Sequence, residues 1–391
     1  MRIYNSVQST RLHRNHAGNI AASALITGEP TTIPPQKLSG INVLLHHSKR
    51  RAMLAIVTMV SLPLLTTAAN ATPIIRNGIA SYFNPDDQLN HAIVATTDGS
   101  VHEVYYSNTT VFGTDVLATF SPGTLAGIGA CYGNGANHVI VQQTDGKVTE
   151  LYWVGGQGVQ SASLGTFVQP DAIGNCFFDA DTVAHVPIVF GPQGTPGDEP
   201  IAAQIEYSPA IGIHFYNIGG IDTNANVRGI TAWMANSGVA YVHTPVIVTA
   251  DDNTVLFSEM IFGGDTANTF EPLGGEPAIP TYSGSTPVGI AGTQISPELG
   301  GCNQVFYAAT NATGGNWNVF GQSSTTNANG LAPCTGWVGV FNIDDNSTAI
   351  SAFATDNPAQ LHLVMTTRSN RVYQLLATSS GGWYRLDLGS F

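Results

Sequence analysis

The sequence predicts an all-β fold, a six-bladed β-propeller whose N-terminal strand closes the last blade. Composition, a six-fold internal repeat and a last repeat that lacks one strand carry that expectation. The 391 residues are 43% hydrophobic but only 10% charged, with 43 Gly and 21 Pro. A chain poor in charge and rich in Gly, Thr, Asn, Val and Tyr favours strands and turns over helices. A disordered chain would carry more charge and fewer aromatics.

The repeat is clearest in its first two copies. Residues 91–106 read HAIVATTDGSVHEVYY and residues 138–153 read HVIVQQTDGKVTELYW, an offset of 47. Weaker copies start at His185, His243, Asn303 and His362. A second element precedes each start: Ile79 (IASYF), Ile128 (IGACY), Ile173 (IGNCF), Ile230 (ITAWM), Ile290 (IAGTQ) and Ile350 (ISAFA). Its distances to the following His or Asn are 12, 10, 12, 13, 13 and 12 residues. A third element ends a strand as LATF (117–120), LGTF (164–167), NIGG (217–220), PLGG (272–275) and DLGSF (387–391). Each copy thus holds about four short strands, the content of one propeller blade.

Asp98-Gly99 and Asp145-Gly146 separate two apolar runs, a strong hairpin signal because both central residues of the tight turn need positive φ. Asp252-Asn253 and Ser369-Asn370 take that place in later copies. The sixth copy runs only from His362 to Phe391 and lacks the Ile-x-Ala strand that follows the others. Ile79–Phe83 supplies it, so the expected topology is a ring with no open sheet edge.

Ahead of the repeats, Lys49, Arg50 and Arg51 lead into the apolar run Ala52–Leu65 and then Ala69-Asn70-Ala71. Basic flank, short apolar run and A-x-A make residues 49–71 a signal peptide, and the run is too short to span a bilayer. Residues 1–48 form an unpatterned leader or reflect a start assigned too far upstream. The propeller occupies 72–391. That part carries six basic residues (Arg76, Lys147, Arg228, Arg368, Arg371, Arg385) against 25 carboxylates, 6 − 25 = −19. Such a surface repels phosphate backbones and anionic headgroups, which argues against nucleic-acid and, after signal cleavage, membrane partners.

Cys131, Cys176, Cys302 and Cys334 form an even set in an exported chain, which suggests two disulfides. Cys131 and Cys176 stand at matching places in adjacent blades, in reach of a bridge that would leave Cys302 for Cys334, though spacing alone does not fix the connectivity. No C-x-x-C or Cys/His spacing predicts a metal site. The repeated histidines (His91, His138, His185, His243, His362) are spread around a ring, so each is expected to bond backbone at the start of its strand.

The candidate ligand-binding residues lie in the strand after the D-G turn. Glu103 shares a face with Val101 and Tyr105, and Glu150 with Val148 and Tyr152. A carboxylate among apolar neighbours needs a partner or a ligand. Glu259 lies further along in the fourth copy, and Gln374 takes the place in the sixth. With Tyr106, Trp153 and Trp383 nearby in sequence, these carboxylates can accept sugar hydroxyls while rings stack on a pyranose face. The other reading is a framework Glu bonded to the next blade.

The pattern H-x-x-V-x-x-T-D-G-x-V-x-E-x-Y-[YW], followed by L-G-x-F and I-x-A, resembles the propeller lectins over roughly residues 75–391. It is similar to the fucose-specific six-bladed fungal type and to bacterial PLL-like propellers. The resemblance implies glycan partners, no cofactor and no catalytic residue. It also implies sites between neighbouring blades, built from an Arg-Glu pair and aromatics. Glu103 and Glu150 match the Glu, while His102 and Thr149 stand at the preceding position. The expectation is therefore a secreted, non-catalytic carbohydrate-binding propeller. The alternative is an extracellular glycoside hydrolase or lyase using loop carboxylates of blades three to five, such as Asp198, Glu199 or Glu276. No G-x-S-x-G, H-E-x-x-H or P-loop motif supports catalysis.

Overall fold

In a computed structural model of the chain, the described residues are 72–391 apart from 168–169, 180–181, 191–200, 221–225, 237–239, 250–254, 263–270, 273–285, 295–302, 311–316, 325–337, 344–346, 357 and 379–382. Residues 1–71, with the expected leader and signal peptide, and Cys302, Cys334, Asp198, Glu199, Glu276 and Asp252-Asn253 lie outside them. All described elements are strands, gathered in chain order into six antiparallel sheets of four or five strands.

Sheet one is Ile74–Asn84, Leu89–Thr96, Ser100–Tyr106 and Val111–Thr119, paired in that order. Sheet two repeats it with Leu125–Gly133, Ala136–Gln143, Lys147–Trp153 and Gln160–Thr166. In sheets three and four the first strand is broken, into Pro170–Ile173 with Phe177–Phe178 and Asn226–Ile230 with Trp233–Asn236. Sheet five begins at Thr286–Gln294. Sheet six is Ser347–Asp356, Ala359–Thr367, Arg371–Thr378 and Trp383–Ser390.

The expected strand exchange does not occur. Ile79 pairs with Val94 in its own sheet, and Ile350 of sheet six pairs with Met365 in the same way. Each Ile-x-Ala element is therefore the first strand of the blade that follows it, not the last of the one before. A four-residue connection (85–88) makes that local hairpin far cheaper in closure entropy than a pairing across the whole chain. The ends still meet. Asn370 accepts a hydrogen bond from Ile74 N on its Oδ1 (3.2 Å) and one from Phe391 N on its carbonyl (3.4 Å).

The D-G turns also differ from expectation. Gly99 and Gly146 have φ of +90° and +89°, but neither Asp98 nor Asp145 is in that region. Gly99 N bonds Thr96 O at 3.0 Å, which makes a type I turn followed by a left-handed residue. Asp98 Oδ1 accepts from Thr96 Oγ1 (2.7 Å) and Ser100 N (3.0 Å), so the Asp is a bracket for the turn. Asn370, with φ +59°, takes the glycine's place in sheet six.

Both faces of the middle strands are buried, which explains why they read as continuous apolar runs. Ile93 and Ala95 pack against Ile128, Val139 and Val141 of sheet two. Ala92 and Val94 pack with Phe353, Val364 and Leu388 of sheet six. Cys131, Ile140 and Val148 meet Ile173, Val186 and Ile205 of sheet three. The first strands approach one another so closely that a Cβ on Gly174 would lie 2.6 Å from Ile230 O. They enclose an axial cavity of about 20 Å³, lined by Asn77, Asn175, Thr231 and Ser351 among others. That is room for about one water.

Candidate functional site

The register of the second and third strands builds one recurring constellation. The residue opposite the second residue after each His or Asn is Glu103, Glu150, Gln204, Glu259, Gln322 and Gln374, sheet by sheet. On the first strand, Tyr82, Cys131, Phe177, Trp233, Gln294 and Phe353 face the same His or Asn. The side chains of Trp233, His243, Glu259, Gln294, Asn303 and Gln322 lie outside the described residues.

In sheet one, His91 Nδ1 donates to Glu103 Oε1 at 2.7 Å, and its Nε2 faces Asp87 Oδ2 at 3.2 Å. Tyr82 stacks on the imidazole, with centroids 5.0 Å apart. In sheet two, His138 Nδ1 donates to Glu150 Oε1 at 2.6 Å, and Nε2 faces Gly133 O at 3.2 Å. Tyr207 of sheet three donates to the same Glu150 oxygen at 2.6 Å, so this carboxylate ties two sheets together. Burial, followed by the Glu150 charge, raises the Tyr207 pKa well above the usual phenol value. The expected backbone partner is met at His138, through Gly133 O, while Nδ1 of both imidazoles bonds a carboxylate of the neighbouring strand.

Sheet three changes the partners. His185 Nδ1 meets the Gln204 amide and lies 3.3 Å from Glu206 Oε1, while Nε2 lies 3.0 Å from Asp179 Oδ2. Burial pulls its pKa down, but hydrogen bonds to Glu206 and Asp179 outweigh that and hold it above the usual imidazole value. In sheet six, His362 Nδ1 bonds Gln374 Oε1 at 3.0 Å and Nε2 is buried without a partner. Burial pushes its pKa down to about 4.

Cys131 and Cys176 form an inter-sheet disulfide. Cys131 occupies the place of a stacking ring, and Phe178 of sheet three covers His138 instead, 4.8 Å away and tilted by 51°.

Every one of these pairs in sheets one and two faces the next sheet. Glu103, Val101 and His91 lie on the side that packs against sheet two, where Asn84 Nδ2 bonds Asn137 Oδ1 at 3.0 Å and Tyr132 donates to Asp86. Burial and Asp86 push the Tyr132 phenol up to about 12. Tyr105 lies over Gly113 of the outer strand, and Tyr152 donates to Gln160 Oε1 at 2.9 Å. Both rings are half-buried on the same face as the carboxylates.

Two expected rings lie elsewhere. Tyr106 is fully enclosed in the core between sheets six and one, and Trp153 is buried against sheet one. Neither offers a face to a pyranose. Trp383 is half-buried at the start of the last strand. Glu103, Glu150 and Gln374 each lie 12 residues after their histidine and were legible in sequence, whereas Gln204 and Gln322, 19 residues after His185 and Asn303, align only by pairing register.

No family model matches the chain, and no curated protein does. Solved structures do match. The SapL1 lectin in complex with α-methyl fucoside is 17% identical, covering 82% of this chain and 97% of that one, with a TM-score of 0.53. AofleA from Arthrobotrys oligospora is 12% identical over 81% of this chain and 88% of that one, TM-score 0.55. The fucose-specific lectin from Aleuria aurantia is 12% identical over 81% and 96%, TM-score 0.53. The fold is that of the six-bladed fungal propeller lectins. The six sheets are its blades.

Proposed function

We propose that this protein is a secreted, non-catalytic carbohydrate-binding propeller with sugar sites in the grooves between neighbouring blades. The observation that carries the reading is the recurrence of one set at one register. In blades one, two, three and six a His meets a Glu or Gln at one register, and in blades one, three and six a ring of the first strand stacks on that His. Buried polar groups repeated with this regularity are costly unless they serve a common purpose. Fold likeness to lectins seen with fucosides supports glycans as partners.

Tyr105 and Tyr152 are the stacking rings in this reading, and Glu103 and Glu150 are the acceptors at the groove floor, with Glu259 at the matching register of blade four. Because His91 and His138 already hold Glu103 and Glu150, those carboxylates also fix the groove's shape. An inter-blade disulfide and the basic–apolar–A-x-A segment support export.

A glycan array with the mature chain tests the reading, with fucosides among its ligands. Binding is expected, and Tyr105→Ala with Tyr152→Ala should weaken it by about 1–3 kcal/mol in stacking while leaving the fold intact. No binding to any glycan, or full binding by the double variant, overturns it.

A further inference from the structure

Blade six holds three of the six basic residues in 72–391, Arg368, Arg371 and Arg385. Two of them stand on one face. Tyr373 pairs with Asp387 and Leu375 with Arg385 across the last two strands, and Tyr373 and Leu375 pack toward Ala291 and Phe306 of blade five. Along the outer strand that face presents Trp383, Arg385 and Asp387 in turn. Trp383 packs at the rim of the same apolar cluster.

The charges within this row are unequal. Arg371 Nη2 pairs with Asp387 Oδ2, so the carboxylate is taken. The Arg385 guanidinium instead lies over the Tyr373 ring, 3.7 Å from Cζ to the centroid, with no ion pair among the described residues. Arg385 is exposed. A guanidinium seated on an aromatic face keeps its N–H edge free and loses little entropy on meeting a planar anion. Trp383 lies two residues away, about 7 Å along a strand. An acidic group borne on the sugar, together with the hydrogen bond from it to the guanidinium, bridges that gap.

We propose that the groove of blade six facing blade five binds an anionic saccharide, with Trp383 under the ring and Arg385 on the acidic group. This rests on the carbohydrate-binding reading and gives one site its ligand class. The carboxylates elsewhere do not forbid it, because their repulsion is screened beyond about 8–10 Å at physiological salt. They favour a short acidic sugar over a long polyanion.

Titration calorimetry on the mature chain uses trigalacturonate as the carboxylate probe, a sulfated disaccharide as the sulfate probe and the neutral array ligands as controls. Trigalacturonate should bind, weaken with added salt and lose about tenfold or more in affinity in Arg385→Gln. Neutral ligands should be unaffected by that variant, and its Tm should match the parent. Arg385→Lys should recover only part of the loss, because it keeps charge without the fork. Stronger binding of the sulfated probe would also support the site and assign sulfate as its anion. If neutral glycans bind but neither anion does, or Arg385→Gln binds trigalacturonate as well as the parent, the inference is wrong while the lectin reading stands. If nothing binds, both fall.

Discussion

His362 shows how one residue changes the chemistry of a repeated site. In blades one and two the equivalent imidazole faces a carboxylate, but here it faces Gln374, whose Nε2 is also buried without a partner. With its pKa pushed down to about 4, His362 is neutral in the fold at pH values where the unfolded chain protonates it near 6.5. The unfolded state then binds more protons, so stability is fully present above about 6.5 and falls as pH drops toward 4. The loss is about 3 kcal/mol. Gln374→Glu restores the arrangement of blade one and should raise the His362 pKa, removing most of that loss. NMR titration of the His362 ring, beside denaturant unfolding between pH 4 and 7.5, measures both. An unchanged titration in the variant would show that the partner does not set the imidazole's protonation. His185, whose pKa is raised, acts in the opposite sense: its contribution is full below the unfolded pKa and lost as pH rises through the folded value.

At the scale of strands and their connections, the disulfide is the clearest test. The disulfide joins Cys131 on the first strand of blade two to Cys176, in the break of the first strand of blade three, across 45 residues of sequence. Replacing both by Ala should cost about 2–4 kcal/mol, read as a shift in the denaturant midpoint, with glycan binding retained. A shift below about 0.5 kcal/mol would mean that strand packing alone holds the two blades. This pairing was legible because both cysteines keep the same distance after Ile128 and Ile173. Strand content and the hairpin positions were legible for the same reason, since Gly99 and Gly146 do adopt positive φ. The blade boundary was not. Repeats read from the most similar residues begin at the histidines, whereas pairing begins at Ile74, and nothing in side-chain pattern marks which end of a repeat is hydrogen-bonded to which. The site was half-legible. Glu103 and Glu150 stood out as carboxylates among apolar residues, but their histidine partners lie 12 residues upstream and are joined only by register. Tyr106 could not be told from Tyr105 by type, and alternation across the strand sends one into the core and leaves the other in the groove.

For the molecule as a whole, the consequence of intact blades is that no strand has to cross from one end of the chain to the other. Blades six and one are held by apolar packing, with Ile79, Val94 and Val104 against Phe353, Val364 and Leu388, and by Asn370 bonding both Ile74 and Phe391. Ser81 and Ser351 add an Oγ–Oγ hydrogen bond of 2.8 Å, and Asn108 Nδ2 reaches Gln360 Oε1 at 2.8 Å. The two ends therefore lie close enough for a short Gly/Ser linker to join Phe391 to Pro73. A permutant opened between blades one and two, in the turn at Ser121–Thr124, keeps every four-stranded sheet contiguous. It should fold with a Tm within a few degrees of the parent, since turn-tip cuts of this kind are tolerated. A permutant opened at Pro85–Gln88 separates the first strand of blade one from the other three. It turns a four-residue hairpin connection into a pairing across the whole chain, and the closure entropy grows with that length. That version should fold more slowly and melt lower. Had the first strand belonged to blade six, the ranking would reverse, because the cut at 85–88 would then fall between blades. Comparing the two melting temperatures decides which sheet owns the strand.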